Sequence, residues 1–277
     1  MFTIVIIGMG PGNPELLTLA AKNALEEADV ILFDCMPDDT LLKAFQFKGK
    51  IIAIDKKIDP TAMVDTMEKH YCAGKKVCRL KPGDALMFNG GGKEVRALKA
   101  KGIDFRMIPG ITASCAAANI FAVPITEMDE SDVSVNFVYH DNETNHNLLK
   151  DLASVLKYGS TIHIYFANTD CIGQIVEIIT SVGVTPDMPV VVASRISAKD
   201  ETSVKTTLGK VEATLRTLDM KRPMLFIVGK YVEVLSKKQI IPFLMTSGGT
   251  FHSMSLPWVL NTGCIYSSPG GLLKHHA

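Results

Sequence analysis

Five short apolar runs, each closed by a turn and most followed by a stretch of helical spacing, limit what this chain can fold into more than any other feature. Residues 2–7 (FTIVII) are β-branched and almost continuously apolar, the pattern of a strand covered on both faces. Comparable runs occupy residues 30–33, 51–54, 76–81 and 105–108. Between the first two lie Leu16, Leu17, Leu19, Ala20, Ala24 and Leu25, spaced for one face of a helix. Helical patterns also fall over residues 39–45 and 61–71, the latter stopping near Gly74, and again up to residue 101. Strand and helix in alternation predict an α/β fold with a parallel sheet, whose ligands collect beyond the carboxyl ends of the strands.

The pattern changes between residues 122 and 130. Strands are expected over residues 133–139, 161–166 and 189–193, helices over 148–156 and 171–182, and further elements over 202–208, 210–218 and 224–228. The polar–apolar alternation of Thr202–Thr207 points to antiparallel pairing. A chain of 277 residues suits two domains. The boundary is placed near residue 125, giving an N-terminal α/β domain over 1–125 and a C-terminal α/β domain over 126–236. Residues 237–277 have no clean periodicity and read as a tail without assignable chemistry.

Composition excludes several classes. Lys plus Arg and Asp plus Glu balance at 29 each, so there is no global basic field of the kind that marks a nucleic-acid binder. No apolar run approaches the roughly 20 residues of a membrane span. The apolar N-terminus lacks a charged region before it and reads as a strand, not a signal peptide. Six cysteines show neither a C-x-x-C pair nor a histidine at zinc spacing, so no metal site is expected, and the thiols read as reduced, in a cytoplasmic protein.

Residues 76–95 (KVCRLKPGDALMFNGGGKEV) concentrate the chemistry. A strand runs into Pro82-Gly83-Asp84, a turn that lets a ligand approach the backbone and carries one carboxylate. The triplet Gly90-Gly91-Gly92 then opens a helix with backbone N–H groups suited to an anion. The turn at Gly8–Gly12 has no Lys-Ser or Lys-Thr at phosphate-loop spacing, which argues against a nucleotide-binding protein.

Taken in order, Gly8-Met9-Gly10-Pro11-Gly12-Asn13-Pro14-Glu15-Leu16-Leu17-Thr18, Arg79-Leu80-Lys81-Pro82-Gly83-Asp84 and Pro109-Gly110-Ile111-Thr112-Ala113-Ser114 resemble the tetrapyrrole methylase family over roughly residues 2–235. The resemblance implies two α/β domains with S-adenosylmethionine in the cleft between them. It implies cofactor contacts from Pro11, Pro82, Gly83, Asp84, Met87, Thr112, Ala113, Phe166 and Ile196, and a proton-transfer pair of Asp34 and Lys56 at the ends of the second and third strands. The activity implied is C-methylation of a tetrapyrrole, uroporphyrinogen III in the first instance, on the route to sirohaem or cobalamin, by a homodimer that needs no metal, nucleic acid or membrane.

The chain also departs from the family pattern. Asn89-Gly90-Gly91-Gly92-Lys93-Glu94 stands where relatives read Gly-Arg-Gly-Gly-Glu-Glu. Thr126-Glu127-Met128 replaces Thr-His-Arg, and Glu201 takes the place of a glutamine. An acceptor with eight carboxylates needs cations, and Lys56, Lys57, Lys81, Lys93 and Arg96 are the expected substitutes. A relative with another corrin acceptor and a non-catalytic cofactor-binding protein are the alternatives.

Overall fold

The computed structural model describes residues 3–34, 41, 44, 47–55 and 58–232, all within one compact unit. Elements are numbered among these residues. The helix expected over 39–45 falls mostly outside them, as does everything expected of residues 237–277.

Strands β1 (Ile4–Gly8), β2 (Val30–Phe33), β3 (Lys50–Ala53), β4 (Val77–Lys81) and β5 (Phe105–Ile108) form one parallel sheet in the order β3-β2-β4-β1-β5. Helix α1 (Leu19–Glu26) follows β1, α2 (Pro60–Cys72) follows β3, and α3 (Gly91–Ala100) follows β4. Both faces are covered. Ile4, Ile6, Val30 and Leu32 pack with Met63, Val64 and Met67 of α2 and Leu98 of α3, while Ile7, Ile31 and Leu80 pack with Ala21 and Leu25 of α1. Burial on both sides is why the inner strands β1 and β2 read as unbroken apolar runs, whereas β3 lies at the edge of the sheet and is largely exposed.

From β1 the chain proceeds to β2 on one side, and from β4 to β5 on the other. Neighbouring strands whose connections leave in opposite directions open a crevice at their carboxyl ends, the place where sheets of this kind bind ligands.

The second sheet holds β6 (Ser134–Val138), β7 (Thr161–Tyr165), β8 (Pro189–Ser194), β9 (Thr202–Thr207) and β10 (Met224–Gly229), ordered β6-β7-β10-β8-β9. Only β6 and β7 pair in parallel; β9 pairs antiparallel with β8, as its alternation indicated. Helices α5 (Glu143–Ala153), α6 (Ile172–Ser181) and α7 (Val211–Arg216) cover one face. Helix α5 begins five residues before the expected start at 148, because the Asn142 side chain accepts a hydrogen bond from the Asn145 amide and caps it there.

The other face of this sheet meets α4 (Ala113–Ile120), which follows β5. Ala117 packs among Tyr165, Val191, Ala193, Leu225 and Ile227. The run of alanines in α4 thus allows a helix of the first half to lie close against a sheet of the second.

At the carboxyl edge of the first sheet three glycines let three loops touch. A Cβ on Gly8 would lie 2.6 Å from the Gly110 nitrogen and 2.7 Å from the Gly83 oxygen, and one on Gly110 would collide with the backbone of Gly83 and Gly8. Gly8→Ala is therefore expected to cost about 3 kcal/mol or prevent folding, because backbone on both sides cannot yield. For a domain this size that is a fall in melting temperature of roughly 6–12 °C. Gly74→Ala is the control, since its φ is +72° but nothing lies within 4 Å of the added methyl; it should cost about 1 kcal/mol. Equal melting shifts for the two variants would refute the crowding argument.

Candidate active site

The loops after β1, β4 and β5 are held together by their own backbones. Gly10 and Gly83 exchange hydrogen bonds (3.1 and 2.8 Å), and the Met9 amide donates to the Lys81 carbonyl at 2.8 Å. Asp84 tightens the arrangement. One carboxylate oxygen accepts from the Leu86 amide at 2.9 Å, the other from the Gly110 amide at 3.3 Å, joining the β4 loop to the β5 loop. The Asn89 amide nitrogen donates to the carbonyls of Pro82 and Asp84 and closes the β4 loop from inside.

The second half contributes the ends of β7 and β8. The Tyr165 hydroxyl lies 3.1 Å from the Thr112 hydroxyl, accepts from the Ser114 amide at 3.2 Å and donates to Asn136 Oδ1 at 3.2 Å. The Phe88 ring, from the β4 loop, meets Tyr165 edge-on at 5.0 Å. Beyond β8, the Ser197 hydroxyl accepts from the Asn13 amide at 3.0 Å, and the Ser197 amide donates to Glu201 at 2.7 Å. Glu201, which replaces the family's glutamine, thus holds a loop that reaches the first half.

Four non-glycine residues on these loops have left-handed backbone: Phe88 (φ 60°), Phe166 (62°), Arg195 (54°) and Ser197 (66°). Such strain costs about 1–3 kcal/mol per residue and concentrates at ligand sites. Two of the four present large apolar rings to solvent, Phe88 at 39% and Phe166 at 55% exposure. A depression of about 420 Å³ opens beside Phe166, toward Tyr139 and Gln174. It adjoins the ring of loops and is not enclosed by it.

All nine residues expected to contact a cofactor lie on this ring. Pro11, Pro82, Gly83, Asp84, Met87, Thr112, Ala113 and Ile196 are half-buried and Phe166 is exposed, whereas their neighbours Gly10, Lys81, Ala85, Ser114 and Tyr165 are buried. The nine residues thus sit on five loops that contacts among their neighbours hold together. An elongated ligand with an amino-acid end fits this donor set, since Thr112 caps no backbone group of its own helix.

Asp34, at the end of β2, belongs to a buried charge cluster. Arg79 is wholly buried on β4 and donates to Asp34 Oδ2 at 2.6 Å and to Glu94 Oε1 at 3.1 Å; Lys81 donates to the same Glu94 oxygen at 2.8 Å. Burial pushes the Asp34 pKa up, but the hydrogen bond and charge of Arg79, with the charge of Lys81, outweigh it and hold the carboxyl below its ordinary 3.8. Lys81 was expected to help replace the family's arginines. It is instead buried and paired to Glu94, so it does not face a substrate. Lys56 and Lys57 lie outside the described residues. Lys93, Arg96 and Met128 are exposed. At Gly90, φ is +69° with nothing within 4 Å of an added Cβ, so an arginine there would find space but bear left-handed strain.

Sequence reasoning missed Arg79 and Glu94 as a pair, and missed Tyr165 and Ser197. Arg79 did leave a signal, because a charge inside a strand buried on both faces demands a partner. Tyr165 and Ser197 left none, since their partners are 53 and 184 residues away.

The family model for tetrapyrrole (corrin/porphyrin) methylases matches residues 3–212. The S-adenosyl-L-methionine-dependent uroporphyrinogen III methyltransferase of Methanosarcina barkeri is 28% identical over 236 residues, covering 83% of this chain and 92% of that one. Siroheme synthases also match, and the chain spans about half of their length. Among solved structures, the cobalt precorrin-4 methyltransferase CbiF aligns with a TM-score of 0.75 at 26% identity, over 83% of this chain and 96% of that one. The uroporphyrin-III C-methyltransferase of Thermus thermophilus complexed with S-adenosylhomocysteine aligns with a TM-score of 0.69 at 26% identity, over 85% and 96% respectively.

The charge cluster gives stability a defined pH dependence. Because folding lowers the Asp34 pKa, its contribution is fully present above the unfolded value near 4 and is lost as pH falls through the folded value. Asp34→Asn should melt lower than the parent at pH 7, and the gap should begin to narrow below about pH 4 and shrink further as pH falls through the folded value. Thermal melts followed from pH 7 to the acid limit of folding check this; a gap of constant size throughout would mean that the carboxylate charge contributes nothing.

Proposed function

The chain belongs to the family of tetrapyrrole (corrin/porphyrin) methylases, and from that premise we propose that it transfers the methyl group of S-adenosyl-L-methionine to a ring carbon of uroporphyrinogen III, toward sirohaem or cobalamin. The observation that carries this reading is the placement of these nine residues on five loops that contacts among their neighbours hold together. When bound, the cofactor supplies an electrophilic methyl group on a sulfonium sulfur. Pro11, Pro82, Gly83, Asp84, Met87, Thr112, Ala113, Phe166 and Ile196 hold and orient it. Asp84 acts through backbone, since its carboxylate fixes the Leu86 and Gly110 amides.

Methylation forms a carbon–carbon bond, releases the sulfur as a thioether and leaves the macrocycle one positive charge richer, so a proton must then depart. Asp34 is the residue we propose to take it. It is ionised at neutral pH, at a strand end on the crevice side, with its side chain 21% exposed. Its low pKa makes it a weak base, which suffices for a carbon acid beside a cationic ring. Lys56 is proposed as its partner from sequence position alone. Four described cysteines (Cys72, Cys78, Cys115 and Cys171) are unpaired, which supports a reducing cytoplasm, and a homodimer is the assembly we favour.

The alternative acceptor is a corrin precursor, a polycarboxylate of the same class, and Lys81, paired to Glu94, is unavailable to either.

Turnover on uroporphyrinogen III and on corrin precursors, beside calorimetry with S-adenosylhomocysteine, tests the proposal. The expected result is product from one acceptor class and a binding heat. Binding without turnover on either class would reduce the protein to a cofactor binder, and no heat at millimolar ligand would remove the reading altogether. Asp34→Asn should lower turnover roughly 10²-fold or more with cofactor affinity nearly unchanged; parallel losses in both would recast Asp34 as a binding or structural residue.

A further inference from the structure

We propose that Tyr165 is a positioning residue that fixes the Thr112 hydroxyl as a hydrogen-bond acceptor, so that the cofactor is read at Thr112 through its ammonium group. The inference rests on the reading that Thr112 borders the cofactor, and it specifies which end of the ligand's amino-acid moiety Thr112 meets.

The argument is a count of protons. A tyrosine hydroxyl has one proton to give and two lone pairs to receive. The Ser114 amide can only donate, so it occupies one lone pair of Tyr165. Asn136 Oδ1 can only accept, so it takes the Tyr165 proton. What remains for Thr112, at 3.1 Å, is the second lone pair, and Thr112 must donate its own proton there. Having given that proton away, Thr112 Oγ1 can meet a ligand only as an acceptor. It makes no capping bond to its own helix, and Thr112 is half-buried, at the accessible rim of the cleft. A carboxylate has nothing to donate to it, whereas an ammonium group has three protons.

The polarity of this chain is anchored one residue further in. His163 is 1% exposed, and its Nδ1 lies 3.4 Å from the same Asn136 oxygen. Burial pushes the His163 pKa down to about 4, so the ring is neutral at physiological pH. Its single proton belongs on Nδ1, facing an oxygen that can only accept, and its Nε2 has no hydrogen-bond partner among the described residues. Asn136 therefore receives two protons through Oδ1, which fixes the direction of every bond outward to Thr112. The burial of this histidine beside the half-buried Asn136 is otherwise unexplained by packing, since leaving a ring nitrogen unpartnered has a cost.

The test is a cycle of variants against ligands, read by calorimetry. The ligands are S-adenosylhomocysteine and its analogue lacking the α-amino group. A hydrogen bond to a charged group contributes on the order of 1.5–3 kcal/mol, so the parent protein should prefer the amine-bearing ligand by roughly 10-fold to 100-fold. Thr112→Val should bring the two affinities to within about 3-fold, and Thr112→Ser should keep the parent's preference. Tyr165→Phe frees the Thr112 proton and should shrink the preference by at least about 3-fold, chiefly through better binding of the deaminated ligand. Asn136→Leu releases the Tyr165 proton toward Thr112 and should act in the same direction, which keeps the test usable should Tyr165→Phe fold poorly. A Thr112→Val variant that retains the parent's preference overturns the proposal, as do Tyr165→Phe and Asn136→Leu variants that weaken both ligands equally. A parent protein that binds neither ligand rejects the cofactor reading itself, and is thereby distinct from failure of the polarity argument.

Discussion

The close approach of three backbones at Gly8, Gly83 and Gly110 is the constraint on which the rest of this molecule depends. Without side chains at these positions the loops after β1, β4 and β5 lie against one another, and Gly10 and Gly83 pair as though they were strands. A Cβ on Gly8 or Gly110 would drive the loops apart and separate the residues that line the crevice. The same contact lets the Asp84 carboxylate reach the Gly110 amide. A geometric rule about glycine thus becomes a rule about where a ligand's polar groups can be met.

The second sheet supplies what a single parallel sheet lacks, a wall opposite its strand ends. Tyr165 and Ser197 join the halves by hydrogen bonds at α4 and at the β1 loop, and the alanines of α4 bring the backbone close enough for those bonds to form. Left-handed backbone at Ser197, three residues beyond the strand end, accompanies the turn that brings its hydroxyl to the Asn13 amide of the first half. The strain is local, and regular strands with fully buried sides surround it. A rigid frame with a strained rim suits a site that must align two reactants.

Much of this was legible in the sequence. The inner strands β1 and β2 announced themselves through runs such as FTIVII, because burial on both faces leaves no room for polar alternation. The nine residues expected to contact a cofactor came from motif order, and they fall on neighbouring loops because strand ends and glycine turns are local features with a fixed place in a sheet. The start of α5 was missed, since its cap is Asn142, six residues before the apolar spacing begins. Lys81 was misread as a cation available to a substrate. Its neighbours in sequence gave no hint that Glu94, a turn into the next helix, would neutralise it. Contacts made across long stretches of chain, such as Asn13 with Ser197, have no sequence pattern to carry them.

The charge cluster shows how the family's frame and this chain's departures from it fit together. Two cations, Arg79 and Lys81, meet two carboxylates, Asp34 and Glu94, in a setting where a lone buried charge would be costly. Neutralised in this way, the cluster adds no positive field to the crevice and presents only the partly exposed edge of Asp34. Glu127 and Met128 replace the basic residues expected at those positions, and Gly90 has no side chain at all, so the positive charge for a polyanionic acceptor falls to peripheral lysines and Arg96. Solvent and salt screen such groups, whereas buried arginine forks are screened much less. The cofactor half and the acceptor half therefore lie under different constraints. The first is fixed by backbone contacts that tolerate no side chain, while the second rests on side chains that can be exchanged without disturbing the sheet, and it is there that this chain has changed.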